Sequence, residues 1–355
     1  MLRSAGIAAG RAVSCCPCAA SCTGTACGAS LRAPFAALLR LGLVDGALAE
    51  HAEWNACWHG KRRRSSSSGF QASQAAVSGL AYVSPSLLPI WEAQFGDFHN
   101  TAQVVVDTYL GSGETKWGLQ SALTMLLPHG FDGAGPEHSS SRLERFLQLA
   151  NESLTRQPFV PNLHVVNVTT AANYFHLLRR QMKREYRKPL VVASPKGLLR
   201  FPAATSSLAD LAPGTAFQPV LTEQVDDPSK VERVIILSGK LYYDLVTLRK
   251  EKGLEGKVVF IRVEELSPFP YAALSAALSP FTSARSLFWA QDEPENAGAY
   301  MFALPRLQQL LPLLPAIEGG VQYAGRPAMA TIAPGYKALF VEQQREIERR
   351  VFEGL

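Results

Sequence analysis

Trp91-Glu-Ala-Gln-Phe-Gly-Asp-Phe98, Pro128-His-Gly130 and Gly135-Pro-Glu-His-Ser-Ser140, the last running into Arg142-Leu-Glu-Arg-Phe146, decide how this chain is read. Their aromatic and polar groups fall where strand and helix patterns break, which is where an α/β sheet exposes residues for chemistry. Working outward, Leu87 to Trp91, Ala122 to Leu127, Leu163 to Val168 and Leu190 to Ala193 are compact apolar runs that read as buried strands. Between them Thr101 to Leu110, Ser139 to Ala150 and Ala171 to Arg187 return apolar residues at three and four positions, so strand and helix alternate as in a parallel sheet. A connection from Pro202 to Asp227 is rich in Pro, Ser and Asp. A second alternation follows: strand Arg233 to Leu237, helix from Lys240, strand Val258 to Val263, helix after Pro270, strand Leu287 to Gln291 and helix Tyr300 to Leu311. The expected division is a leader over 1–84, a first domain over 85–201, a linker over 202–227 and a second domain over 228–355.

Length and composition agree, since 355 residues with 47% apolar content allow two ordinary domains. Lys plus Arg number 35 against 30 Asp plus Glu, but residues 1–84 hold eight basic and three acidic residues, leaving 27 of each afterwards. A neutral globular part gives no whole-body case for nucleic-acid binding. All six cysteines (Cys15, Cys16, Cys18, Cys22, Cys27 and Cys57) also lie in the leader, so the remainder has neither a disulfide framework nor a thiolate catalyst. Arg3, Arg11, Arg32 and Arg40 are spread through Ala, Ser and Leu with no acidic residue before Asp45, the texture of an organelle-import presequence. Lys61-Arg-Arg-Arg64 before Ser65 to Ser68 reads as a solvated linker. No apolar run reaches the roughly 20 residues of a membrane span. Ser238-Gly239-Lys240 reads as a tight turn, and Arg179, Arg180, Lys183, Arg184 and Arg187 as a solvated basic helix face.

From about Pro85 to Glu342 the chain resembles the C-terminal half of the thiamine-diphosphate-dependent dehydrogenase component of the 2-oxoglutarate dehydrogenase complex, closest to its mitochondrial 2-oxoadipate-type relative. Besides the opening stretches, Arg179-Arg-Gln181, Ser194-Pro-Lys196, Leu198-Leu-Arg200, Pro213-Gly-Thr215, Ser238-Gly-Lys240, Ser267-Pro-Phe-Pro270, Asp292-Glu-Pro294, Asn296 and Tyr323-Ala-Gly-Arg-Pro327 stand in the family's order. The resemblance implies an α/β protein: a transketolase-like pyrimidine-binding domain followed by a C-terminal α/β domain, with an irregular N-terminal leader. It implies that Phe95 stacks on the cofactor's aminopyrimidine, that Gln94 makes a polar contact with it, and that His138 is a catalytic histidine facing substrate. Read without the family, Phe95 would be core and His138 solvent-facing, with Glu137 and Ser139 able to cap a helix that follows and Arg142 able to reach back. His129 stays open between site and scaffold.

The implied chemistry is decarboxylation of 2-oxoglutarate or 2-oxoadipate and transfer of the acyl group to a lipoyl arm of the acyltransferase component, in the mitochondrial matrix. The family's activating glutamate would fall near Phe70 and Gln71, yet no acidic residue occurs from Trp54 to Trp91. Nor is there a Gly-Asp-Gly followed by Asn to hold the Mg2+ and diphosphate, so no metal ligand is assigned. The expectation is therefore a thiamine diphosphate half-site in a fragment inactive alone, whose partners would be a second copy in a homodimer or a full-length subunit. The alternative is a non-catalytic interaction module that pairs with such a subunit. Residues 1–84 fit no part of the family and are expected to be disordered or wrongly joined to it.

Overall fold

The computed structural model describes residues 67–84, 86–155 and 159–355. The cysteines, the presequence-like stretch and Lys61 to Arg64 lie outside these. Two five-stranded sheets carry the fold. The first is ordered β1 (Ile90–Glu92), β2 (Thr124–His129), β4 (Leu190–Pro195), β3 (His164–Val166) and β8 (Glu265–Ser267). The second is ordered β10 (Val321–Arg326), β9 (Ser286–Pro294), β6 (Arg233–Leu237), β7 (Val258–Val263) and β5 (Val220–Thr222). Within each sheet the first four strands are parallel and the last is antiparallel to its neighbour. The helices are α1 (Ser67–Val83), α2 (Gly113–Trp117), α3 (Leu143–Leu149), α4 (Ala171–Lys183), α5 (Leu241–Glu251), α6 (Tyr271–Leu278), α7 (Tyr300–Gln308) and α8 (Lys337–Phe352).

The central strands are continuous apolar runs because both of their faces are covered. All five residues of β6 and the first five of β4 are buried. One buried cluster runs through both sheets, from Leu127 and Val165 to Val263, Phe269 and Trp289, so the two halves share a core. Helix α4 begins where the Thr170 hydroxyl accepts the Asn173 amide at 3.2 Å. It packs Tyr174, Leu177 and Leu178 against Val166 and Val192.

Several elements differ from the sequence expectation. Residues 67–83, read as the end of the leader, form α1, which buries Gln74, Ser78 and Ala81. The Trp91 indole donates to Ser73 Oγ at 3.1 Å on this helix. The helix expected from Thr101 is instead a 3-10 turn (Gly96–Ala102), a short α segment (Gln103–Val105) and a π turn (Val106–Leu110). Three consecutive valines, Val104 to Val106, are stiff at χ1 and crowd a regular turn, and the Gly111 amide reaches back to the Val106 carbonyl at 2.9 Å. The linker supplies β5, and the expected strand Leu287 to Gln291 continues to Pro294.

Strand β8 is the larger departure. It follows β7 in sequence yet pairs with β3 of the first sheet, Val165 opposite Ser267. Two adjacent acids, Glu264 and Glu265, therefore sit inside the seam between the halves, and both are buried. Glu265 accepts two bonds from Arg180, at 2.9 and 2.7 Å, and one from His164 Nδ1 at 3.0 Å. Burial opposes its charge, but these partners hold its carboxyl below the usual range. Burial lowers the His164 pKa and keeps the ring neutral, which lets Nε2 accept from Arg184 at 2.6 Å. Glu264 takes the Thr169 amide at 2.8 Å and the Asn173 amide group at 3.0 Å. Arg180 and Arg184 thus belong to the seam, which corrects the reading of their helix face as merely solvated.

Candidate functional site

Strands β1, β2 and β4 are neighbours and parallel, so the segments leaving their C-terminal ends gather on one edge. Gln94 and Phe95 follow β1, His129 ends β2 ahead of the loop that bears His138, and Lys196 follows β4. The Phe95 and His138 rings meet edge to face with centroids 4.5 Å apart. Phe98 completes a trio, 5.8 Å from Phe95 and 5.7 Å from His138. All three rings are partly exposed, so the cluster is an open aromatic shelf rather than sealed core. Gln94 is exposed beside it. The Lys196 ammonium donates to the His138 carbonyl at 2.7 Å, lies 5.8 Å from the Phe95 ring centre, and pairs with Asp132 at 3.2 Å.

The loop under the shelf is tied down by hydrogen bonds of its own backbone and by Asp97. Asp97 accepts the Ser140 amide at 3.1 Å and Arg142 Nε at 3.3 Å. Burial raises its pKa, opposed by Arg142 and the Ser140 amide. The Gly130 amide donates to the Ser139 carbonyl at 2.8 Å, and the Ser139 hydroxyl to the Gly135 carbonyl at 2.7 Å. Ser139 is therefore not a helix cap: α3 starts only at Leu143, after Arg142 has turned the chain at φ 56°. Arg142 reaches Asp97 instead.

Gly96 shows how close this packing is. A Cβ there would stand 2.7 Å from both the Pro128 carbonyl oxygen and the Ser141 Cα, backbone atoms that cannot swing aside. Gly96→Ala is expected to cost about 1–3 kcal/mol of stability and to shift the His138 ring resonances, since the displaced segment carries that ring. Chemical denaturation and an NMR spectrum of the variant check both, and unchanged values for each would contradict the packing described.

The second half reaches the same edge through β9. Glu293 lies 2.9 Å from His129 Nε2, and the Gly298 amide donates to Glu144 of α3 at 3.0 Å. Sequence reasoning missed Asp97, Lys196 and Glu293 as working groups, although each stands inside a motif it had singled out. A cleft of about 940 Å³ beside β5, lined in part by Glu223, Asp227, Lys230 and Arg249, contains none of these residues. Its charges pair with one another, Arg249 with Glu223 at 2.6 Å and Lys230 with Asp227 at 3.2 Å.

Two parallel-stranded halves thus lie together, with an aromatic and histidine shelf at the strand ends of the first. Residues 71–202 match the transketolase pyrimidine-binding domain and residues 205–352 the 2-oxoglutarate dehydrogenase C-terminal domain. Over these two stretches the chain is similar to the C-terminal half of the 2-oxoglutarate dehydrogenase component family. It is 49% identical over 271 residues to the 2-oxoadipate dehydrogenase complex component E1 of Xenopus laevis, covering 76% of this chain and 29% of that protein. Against the human protein of that name the identity is 46% over 278 residues, covering 77% and 29%. The 2-oxoglutarate dehydrogenase E1 component of Cupriavidus necator is 47% identical over 289 residues, covering 80% and 29%. The chain thus spans about 29% of the length of these curated relatives.

Proposed function

We propose that this chain supplies the pyrimidine-binding half of a thiamine diphosphate site in the E1 component of a mitochondrial 2-oxo acid dehydrogenase complex. The observation that carries the reading is the open shelf of Phe95, Phe98 and His138 at the strand ends of a domain matched as pyrimidine-binding. The shelf suits a flat heteroaromatic ring. Phe95 offers a stacking surface that His138 and Phe98 buttress from the edge, and Gln94 is free to meet a ring nitrogen. Thiamine diphosphate, when bound, supplies the electron sink that a decarboxylating 2-oxo acid requires. His138 is placed to donate a hydrogen bond or proton to substrate oxygen, and Lys196 fixes the backbone that carries it.

The substrate class is 2-oxoadipate or 2-oxoglutarate, and the acyl group passes to a lipoyl-bearing acyltransferase. Support comes from the relatives of both names and from the shared motif order. The diphosphate and its Mg2+ would be held by the diphosphate-binding domain of a full-length relative paired with this chain. Placement in the mitochondrial matrix rests on the Arg-, Ser- and Ala-rich texture ahead of Asp45 and on kinship with 2-oxoadipate dehydrogenases. Among the described residues no helix is long and apolar enough to cross a membrane.

The 355 residues alone, given thiamine diphosphate, Mg2+ and either 2-oxo acid, are expected to release carbon dioxide no faster than a blank. Mixed with a full-length 2-oxoadipate dehydrogenase subunit, they should form a pair whose cofactor-dependent turnover through this half falls about 100-fold or more in His138→Ala. Phe95→Ala should weaken cofactor binding in the same pair. Cofactor-dependent turnover by the chain alone, or indifference of the pair to both substitutions, would overturn the half-site reading.

A further inference from the structure

His129 stands at the end of β2 with 9% of its side chain exposed and bridges two parts of the molecule. Its Nε2 is 2.9 Å from Glu293 Oε1 in the second half. Its Nδ1 is 3.0 Å from the Ser141 backbone nitrogen and 3.3 Å from the Ser141 hydroxyl. A backbone N–H can only donate, so Nδ1 carries a lone pair and the ring proton sits on Nε2, donated to Glu293. The carboxylate thereby selects the tautomer that leaves Nδ1 free for Ser141. Glu293 is itself confined: Gly298 has no Cβ to collide with it, and the Tyr323 hydroxyl holds its backbone carbonyl at 3.0 Å.

We propose that His129 is a positioning residue for His138. Glu293 sets its tautomer across the seam, and its Nδ1 anchors the Ser139–Ser141 turn that immediately follows His138. The second half thus helps to fix the shelf from beneath. Its consequence for catalysis rests on the reading that His138 faces substrate, whereas the coupling itself does not.

The arrangement is sensitive to protonation. The groups facing His129 are Glu293 and Asp292 of β9, Lys196 after β4, and Asp97 and Ser141 beneath the shelf. Burial opposes an imidazolium, but the hydrogen bond and charge of Glu293, with the charge of Asp292, outweigh it and raise the pKa against Lys196. Once both ring nitrogens carry protons, the Ser141 N–H loses its acceptor, and Nδ1–H must donate instead, with the Ser141 hydroxyl oxygen as the nearby acceptor. The turn must then shift.

Amide exchange and pH titration by NMR on the 15N-labelled 355-residue chain test this. His129→Gln keeps a donor toward Glu293 but loses the Nδ1 acceptor, so the Ser141 amide should exchange about tenfold faster or more. His129→Asn places an oxygen near the Nδ1 position and should restore most of that protection. In the parent chain the Ser141 amide shift should titrate with the His129 ring, and Glu293→Gln should lower that midpoint. The amides of β4 serve as the control for intact folding, and the parent titration with Glu293→Gln decides the matter if His129→Gln does not fold. Equal Ser141 exchange in parent and His129→Gln, or a Ser141 amide indifferent to His129 titration, would refute the coupling. These readouts involve no cofactor, so a failure of the half-site reading would appear in the Phe95 and His138 variants instead.

Discussion

Arg326→Ala should lower the free energy of unfolding by about 3–5 kcal/mol, the cost of leaving a buried charge without its partner. The Arg326 side chain is fully buried. It donates to the Asp292 backbone carbonyl and to Gln344 of α8 at 2.7 Å, and its guanidinium lies 5.1 Å from the Phe131 ring and 4.7 Å from that of Phe340. Asp292, itself 7% exposed, depends on it: burial already raises the carboxyl's pKa, and Arg326 is the largest influence holding it down. Without the guanidinium, a carboxylate, a carbonyl and Gln344 in the middle of α8 lose their partner together. The melting temperature should fall by roughly 10 °C. Arg326→Met combined with Asp292→Asn removes the stranded charge as well and should recover much of the loss. A single-variant loss below about 1 kcal/mol by urea unfolding would show that Arg326 does not organise this end of the sheet.

Acidification from pH 6.5 to 4 should remove about 3 kcal/mol of stability through His99 alone. The His99 ring is fully buried, 4.8 Å from Phe146, and Nδ1 donates to the Gly96 carbonyl at 2.8 Å. Nε2 is buried with no hydrogen-bond partner, and a second proton there would gain only a minor contribution from Gln103. Burial pushes the pKa down from 6.5 to about 4, although the bond to Gly96 opposes the shift. The unfolded chain therefore takes up a proton in that interval before the folded one does. The contribution is complete above pH 6.5 and fades as pH falls toward 4. At about 1.4 kcal/mol for each tenfold difference in proton affinity, the gap is worth about 3 kcal/mol. Buried carboxyls with raised pKa values, Glu144, Glu152 and Glu264 among them, work in the opposite sense. The quantity to measure is thus the difference between parent and His99→Leu in urea unfolding at several pH values. That difference should shrink on acidification, and a constant difference would mean that His99 binds its proton equally in both states.

Much of the architecture was legible because the covered strands are uninterrupted apolar runs. The bounds read for Arg233 to Leu237 and Val258 to Val263 coincide with β6 and β7. Other parts were illegible for reasons that no local pattern carries. The burial of Glu264-Glu265 has no local signal, because the groups that allow it, His164, Thr169, Asn173 and Arg180, stand about 85–101 residues earlier. Strand β9 outran its expected end for the same reason: Asp292 and Glu293 look like a stop until Arg326 and His129 are in place. Phe95 and His138 were singled out through motif order, and the fold brings their rings together. That Lys196, Asp97 and Glu293 support them could not be read from order alone, since each acts through a partner on another element.

The antiparallel strand β8 has a bearing on biosynthesis. The edge of the first sheet is closed by residues 265–267, about a hundred positions after β3 has left the ribosome. Until then β3 presents an open row of backbone donors and acceptors, while Arg180 and His164 wait for their carboxylate. The first half cannot mature as an independent unit while the remainder is being made. A nascent chain stalled before Ser267 would hold an unsealed sheet, the kind of surface that chaperones cover and that neighbouring chains can extend.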